Sequence, residues 1–273
     1  ATACTPKEET DLKLWYDEPA QKWVEALPVG NGRLGAMVFG NPAKEQLQLN
    51  EETIWAGQPN SNANPNVDPN ALDEIRDLIF EGKYRAAQDM VDQKIFFKVN
   101  HGMSYQSDYY RDLDISDATA SVSYDVDGVT YEREVISAFA DDVVAVHLTA
   151  SEKGKISFNA ALTSPHRKHS VKVEDGDIVL WGVTGDQEGL EGRVEYTSRV
   201  RVVHKGGELT SSETGLSLSG ADEAVVLVSI ATNFVDYKTL TADGAKKARS
   251  ILDEASSKAY KVMKKDHVAE YKK

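Results

Sequence analysis

Along most of the chain, apolar residues recur at every second position in short runs, and turn dipeptides separate the runs at intervals of about ten residues. In Thr119–Val126, Ala120, Val122, Tyr124 and Val126 share one face. Asp127-Gly128 follows, then Val129–Ile136, which predicts a hairpin. Val143–Thr149 and Lys155–Leu162 predict a second pair, joined across Ser151–Gly154. Val171–Val173 and Ile178–Val183 flank Asp175-Gly176. Arg193–Val203 sets Val194, Tyr196, Val200 and Val202 on one face, and Gly206-Gly207 is predicted to turn it back towards Leu216–Leu218 and Ala224–Ala231. This rhythm predicts a mainly β, antiparallel sandwich.

Two segments change the period. Over 69–95, Asp68-Pro69 offers an N-cap and first turn, and Leu72, Ile75, Leu78 and Ile79 repeat at helical spacing. Gly82 divides this insertion, and a second helix is expected to carry Ala86, Ala87, Met90 and Val91. Over Asp243–Lys273, Ala248, Ile251, Leu252, Ala255, Ala259 and Val262 mark an apolar stripe among lysine-rich faces. The chain thus divides into a polar leader over 1–11, a sandwich over 12–241 and a C-terminal linker helix over 242–273. If a following domain covers the stripe, the isolated chain should expose apolar surface.

Charge narrows the partners. The 273 residues carry 44 acids and 31 bases, a formal net charge of −13. That balance argues against nucleic acid, which needs a basic footprint, and against a polybasic membrane contact. Runs such as Ala224–Ile230 are too short to form a transmembrane segment. The single cysteine, Cys4, excludes an intrachain disulfide. Small residues precede it and a polar stretch follows. Two readings stand: an incidental residue of a frayed terminus, or the lipidated residue of an exported, periplasmic or surface-anchored bacterial lipoprotein.

Candidate chemistry is sparse. Gly30, Gly32 and Gly35 form a literal G-x-G-x-x-G. The run Ala36–Phe39 that follows is stopped by Gly40-Asn41-Pro42, which reads as a strand end, so no helix N-terminus is expected to cradle a phosphate. Glu51 and Glu52 are adjacent acids near Trp55, yet neighbours on a strand point to opposite faces and would not flank one glycosidic bond. One is expected to be exposed and the other to bond a loop. Asp141-Asp142 reads as a turn. His166 and His169 sit in a loop opened by Pro165, and no Cys or acid cluster completes a metal shell around them. There is no Gly-x-Ser-x-Gly elbow and no P-loop. No metal and no cofactor are expected.

The run from Leu27-Pro28-Val29-Gly30-Asn31-Gly32-Arg33-Leu34-Gly35 to Leu49-Asn50-Glu51-Glu52-Thr53-Ile54-Trp55 resembles the N-terminal signature of glycoside hydrolase family 95, the bacterial α-L-fucosidases. Tyr109–Ile115, Tyr131–Glu134 and His267–Tyr271 resemble later stretches of that family, in order and across nearly the whole chain. In one departure, Ser107-Asp108 follow Tyr105-Gln106 directly, where the family pattern has a further strand.

The resemblance implies a β-supersandwich, a helical linker and an (α/α)6 barrel that holds the inverting machinery. No residue of this chain matches the family's catalytic positions, so no catalytic residue is expected in it. Asn31, Arg33, Asn50, Glu51 and Trp55 match the N-terminal motifs. They are expected either to stabilise the sandwich and its junction with the barrel or to help shape the barrel's pocket. The implied partners are a fucosylated glycan, met through the full-length enzyme, and the barrel itself. The competing reading is an independent carbohydrate-binding or scaffold module. It would need exposed aromatic platforms, whereas Trp15, Trp23, Trp55 and Trp181 are scattered, mostly in apolar contexts that suggest core.

Overall fold

A computed structural model describes residues 12–57, 71–85, 109–187 and 189–273. Cys4 with its leader, Asp68-Pro69, the predicted second helix of the insertion and the Tyr105–Asp108 departure lie outside the described residues. The chain forms two compact units, Ala1–Gln58 with Ser104–Lys273, and Pro59–Met103. In the smaller unit, helix α1 (Ala71–Phe80) ends at Gly82. There the Lys83 N–H donates to the Leu78 carbonyl and the Gly82 N–H to that of Ile79, the paired bonds of a Schellman stop.

The larger unit is built on a ten-stranded antiparallel sheet. Its strands are β1 (Lys13–Tyr16), β5 (Tyr109–Asp114), β6 (Thr119–Val126), β7 (Val129–Ala138), β8 (Val143–Ala150), β9 (Ile156–Ala161), β10 (His169–Glu174), β11 (Asp177–Val183), β12 (Glu195–Ser211) and β13 (Gly215–Thr232). The spatial order is β1-β5-β6-β7-β8-β13-β12-β11-β10, with β9 also on β13. A three-stranded meander, β2 (Leu27–Gly30), β3 (Leu34–Val38) and β4 (Leu47–Glu51), forms the second sheet.

Alternation decides what the meander buries. Leu27, Val29, Leu34, Ala36 and Val38 turn inward and pack with Ala120, Val135, Val144, Val146, Val200 and Val202 of the large sheet. The opposite face of the large sheet is covered by helices α2 (Gly244–Ala255) and α3 (Tyr260–Tyr271). Leu252, Ala255, Tyr260 and Met263 pack there on Ile136, Ala138, Val143, Ala145 and Leu227. The fold is therefore mainly β, a sandwich with C-terminal helices.

The structure departs from the sequence reading in four places. The segment 242–273 is two helices, because the backbone at Ala259 is extended. Half of its stripe is covered by the chain's own sheet: Ala248, Leu252 and Ala255 are buried and Ile251 is half-buried, while Ala259 and Val262 are exposed. Ser151–Gly154 joins no hairpin. β8 and β9 run end to end along β13, in register at Thr149↔Glu223 and then Ile156↔Ala221. Likewise β12 runs through Gly206-Gly207 to Ser211 with a bulge. Gly154, Gly206, Gly207 and Gly220 all take positive φ there, so the glycines bend three neighbouring strands at one level rather than reversing any of them. The predicted hairpins at Asp127-Gly128 and Asp175-Gly176 are present, with both residues of each turn at positive φ.

The fourth difference concerns the tryptophans. Trp15 is 61% exposed, Trp23 54%, Trp55 70% and Trp181 40%, so none is core. Trp15 lies on the edge strand β1, exposed along its length. Trp181 lies on the face of β11 opposite Leu180, where the helices leave it partly uncovered.

Candidate functional site

The motif Leu27–Trp55 folds so that its polar residues gather at one end of the sandwich. Asn31-Gly32-Arg33-Leu34 is the hairpin loop between β2 and β3. Gly32 takes φ +92°, as the first position of a two-residue hairpin loop demands. The Asn31 Oδ1 accepts from the Arg33 N–H at 3.0 Å and the Leu34 N–H at 2.7 Å, and its Nδ2 donates to the Ala138 carbonyl at 3.0 Å. Asn31 thus shapes its own loop and ties it to the end of β7.

Arg33 carries that tie further. Its Nε donates to the Asp142 carboxylate at 2.7 Å. Its Nη1 donates to the Ile230 carbonyl at 2.8 Å and to Glu51 Oε1 at 3.2 Å. The other oxygen of Glu51 accepts from the Thr53 N–H at 2.8 Å and the Thr53 hydroxyl at 2.6 Å. The Thr53 hydroxyl in turn lies 2.6 Å from that of Thr232. One guanidinium therefore links the small sheet to the β7–β8 turn and to the end of β13. Asp142, with φ +57°, is the turn residue that the sequence suggested.

Glu51 is 3% exposed and both of its oxygens are engaged within the protein, while Glu52 points to solvent. Adjacent strand residues have separated as their alternation requires, and a substrate atom has no route to the inner one. Asn50, opposite Gly35, is exposed, as is Trp55, whose Nε1–H donates to the Glu52 carbonyl at 2.8 Å. Just beyond, the Gly57 N–H reaches the Gly185 carbonyl at 2.9 Å. This end presents Asn50 and Trp55 over a network of charges that are already satisfied.

His166 and His169 form no centre. The His169 Nδ1 lies 2.5 Å from the His166 carbonyl, and the His166 ring leans on Tyr196. Among the described residues no group of three His, Cys, Asp or Glu side chains is arranged to hold a metal ion, and no helix is long and apolar enough to cross a membrane.

Other polar pins had no motif to announce them. Asp177, 1% exposed, accepts from Arg201 at 2.7 and 2.9 Å and from Arg199 at 3.3 Å, and Arg201 continues to Asp253 on α2 at 2.8 Å. Their one signal was the alternation in β12. With Val200 and Val202 facing the meander, Arg199 and Arg201 had to face the helices. Nearby, His147 Nε2 lies 2.9 Å from Glu223 and its Nδ1 3.9 Å from Glu134, while its ring stacks on Tyr260 at 4.2 Å. Burial pulls the His147 pKa down, but the two carboxylates outweigh it and hold the imidazole above its usual value. His147, with help from Lys264, holds the Glu134 carboxyl down to about 2. The buried His267 stacks on Phe139 and lies 3.1 Å from the Asp117 carbonyl, and the Tyr271 hydroxyl donates to the Ile115 carbonyl at 2.8 Å.

Residues 14–237 match the family described as "Glycosyl hydrolase family 65, N-terminal domain". The chain is 30% identical to "Alpha-L-fucosidase 2" of Arabidopsis thaliana, over 96% of its own length and 36% of that protein's. It is 28% identical to "Probable alpha-fucosidase A" of Aspergillus niger, over 94% and 36%. A solved structure, "Putative kojibiose phosphorylase from human microbiome", overlaps it with a TM-score of 0.44 and 12% identity, covering 61% of this chain and 24% of that one. The chain spans 36% of the length of these two curated relatives. The family match takes in both sheets and the whole Arg33 network, and the chain belongs to this family of glycoside hydrolase N-terminal domains.

Proposed function

We infer that this chain is the non-catalytic N-terminal part of a glycoside hydrolase that removes terminal α-linked L-fucose from glycans. The chemistry falls to a helical barrel domain, and the sandwich supports that barrel through the end carrying Asn31, Arg33, Asn50, Glu51 and Trp55. The observation that carries this reading is where the motif charges go. Arg33 is shared between Glu51, Asp142 and a carbonyl, and Glu51 is sealed from solvent. Hydrolysis of a glycosidic bond needs two carboxyl groups that reach the substrate from opposite sides. Glu51 is not available for that work, but it fixes the shape of the loop that presents Trp55. The fucosidase names of the relatives supply the substrate class.

The test is fucose release from an α-1,2-fucosylated oligosaccharide by this chain and by a version extended through the following domain of its gene. Release by the extended protein alone is expected. Release by this chain alone would show that a catalytic pair has been missed, and release by neither would remove fucose as the substrate. In the extended protein, Arg33→Met is expected to lower stability while leaving turnover per folded molecule intact. A loss of turnover at unchanged stability would move Arg33 into the pocket.

A further inference from the structure

Trp181 differs from the other exposed tryptophans in what holds it. The Trp55 N–H goes to a carbonyl of its own turn, whereas the Trp181 Nε1–H reaches across to Glu195 Oε2 at 3.3 Å. Glu195 lines a hollow of about 460 Å³ at the far end of β11 and β12, together with Lys168, Glu191, Arg193, Asn233 and Lys238. Val183, two residues along β11 from Trp181 and so on the same face, lines it as well. The backbone around the hollow is tied down. The Asn233 N–H donates to the Glu195 carbonyl at 2.9 Å, and the Glu195 N–H returns to Asn233 Oδ1 at 3.0 Å. At the rim, Lys168 pairs with Glu191 at 3.3 Å.

The lining is mixed in a particular way. Three cations and two carboxylates nearly cancel, the Asn233 amide is held by the Glu195 N–H and the Arg193 carbonyl, and a half-exposed indole stands beside them. A single-sign ion would gain little there. A neutral molecule dense in hydroxyls, each donor and acceptor at once, with a C–H face to lay on an aromatic ring, matches the polar lining together with the indole that bonds Glu195 outside it. We propose that the hollow beside Trp181 is a binding subsite for a neutral glycan, a sugar or short oligosaccharide stacked on Trp181 and hydrogen-bonded by Glu195 and Arg193. This site is separate from the Arg33 end and does not rest on the fucosidase reading. Fucose release by the extended protein reads that one, and glycan binding by the present chain reads this one.

The experiment is calorimetric and NMR titration of the 273-residue chain with 2′-fucosyllactose, lactose and maltotriose up to about 10 mM, the range of a weak subsite. The expected result is binding of at least one of them with a shift of the Trp181 indole resonance. Trp181→Ala is expected to weaken binding about tenfold or more, the weight of one stacking contact, in a chain whose circular dichroism shows it still folded. Trp55→Ala should bind as the parent chain does, which separates this hollow from the other exposed aromatics. Glu195→Gln keeps the shape and an acceptor, and should weaken binding less than Trp181→Ala. No heat and no shift with all three sugars would overturn the proposal. So would binding that survives Trp181→Ala.

Discussion

The two faces of the ten-stranded sheet are covered in different ways. Towards the meander the contact is aliphatic, with Val29, Leu34, Ala36 and Val38 against valines and alanines, and its polar ties are few: Arg33 and Asn31 at one end, the Ser137 hydroxyl on the Leu34 carbonyl, and Arg133 on Glu45 at the β3–β4 loop. Towards the helices the apolar patch is smaller, and polar pins are spread across it: Arg201 to Asp253, Lys264 to Glu134, His147 against Tyr260 and His267 over the Asp117 carbonyl. Aliphatic burial stabilises without choosing a register, whereas ion pairs and ring stacks hold only one position. Alternation chooses which face the meander buries. Neither the meander nor the helices share a backbone ladder with the large sheet, so side chains position both, with few polar ties on one face and many on the other.

The largest expected effect lies at the Arg33 tie of the meander, the one that leaves a buried carboxylate when it is cut. Arg33→Met leaves Glu51 buried at 3% exposure without its cation, and is expected to cost about 3–5 kcal/mol in urea unfolding. Adding Glu51→Leu should recover most of that loss, since a buried pair replaced by apolar groups is often neutral. A cost below about 1 kcal/mol for the single change would mean that the end of the sandwich relaxes enough to hydrate Glu51, and the contrast between the faces would weaken.

Next comes the helix face. Leu252 is fully buried under α2, and Leu252→Ala is expected to cost about 3 kcal/mol through lost burial and a residual cavity. Hydrogen exchange sharpens this prediction. Amides of residues 244–271 should lose protection first, while those of β3 keep theirs. Equal loss on both faces would show that helices and meander unfold as one cooperative unit.

A smaller effect, readable by pH, belongs to the His147 pin. Its pKa is raised in the fold above the usual 6.5, so its contribution is complete below that value and is lost as pH rises through the folded value. Glu134 runs the other way: its contribution is present above 4.5 and is lost as pH falls through about 2. Facing these groups are Glu223 with its partner Lys205 on β12 and β13, and Tyr260 and Lys264 on α3. The fall on the alkaline side is expected to be on the order of 1 kcal/mol, the scale of one charge-assisted hydrogen bond. His147→Gln should flatten it, and a slope that survives the substitution would assign it to another group.

How far the sequence foretold this molecule depends on what each inference needed. Where alternation and a turn dipeptide sufficed, as at Asp127-Gly128, the strands and their pairing were legible. Ser151–Gly154 was not, because a bulge and a hairpin both call for a glycine at positive φ, and only the partner strand distinguishes them. The environment of Trp181 was hidden for a related reason. The apolar neighbours of Trp181 in the run Ile178–Val183 suggest core, yet helix coverage at Trp181 is partial. The motif marked Arg33 and Glu51 among five residues of interest without pairing them. Their common partner Asp142 lies on a distant turn that local spacing cannot connect to them. Asp177 had no signal beyond the arginines that alternate across from it in β12.

The smallest effect should come from Trp55, and that smallness is informative. Its indole is 70% exposed, and its one hydrogen bond stays within its own turn. Trp55→Ala in this chain is therefore expected to change stability by less than about 0.5 kcal/mol, the range of an ordinary surface substitution. If a following domain packs on this end as proposed, the same change in the extended protein should cost more, by the burial of a large aromatic at that contact, about 1.5–3 kcal/mol. The difference between the two measurements isolates what the sandwich end gives to its neighbour, since everything internal to the sandwich cancels. Equal and small effects in both proteins would detach Trp55 from the domain contact. Equal and large effects would show that Trp55 supports the turn above Glu51, and the Arg33 network would then extend one residue further towards the surface than its hydrogen bonds indicate.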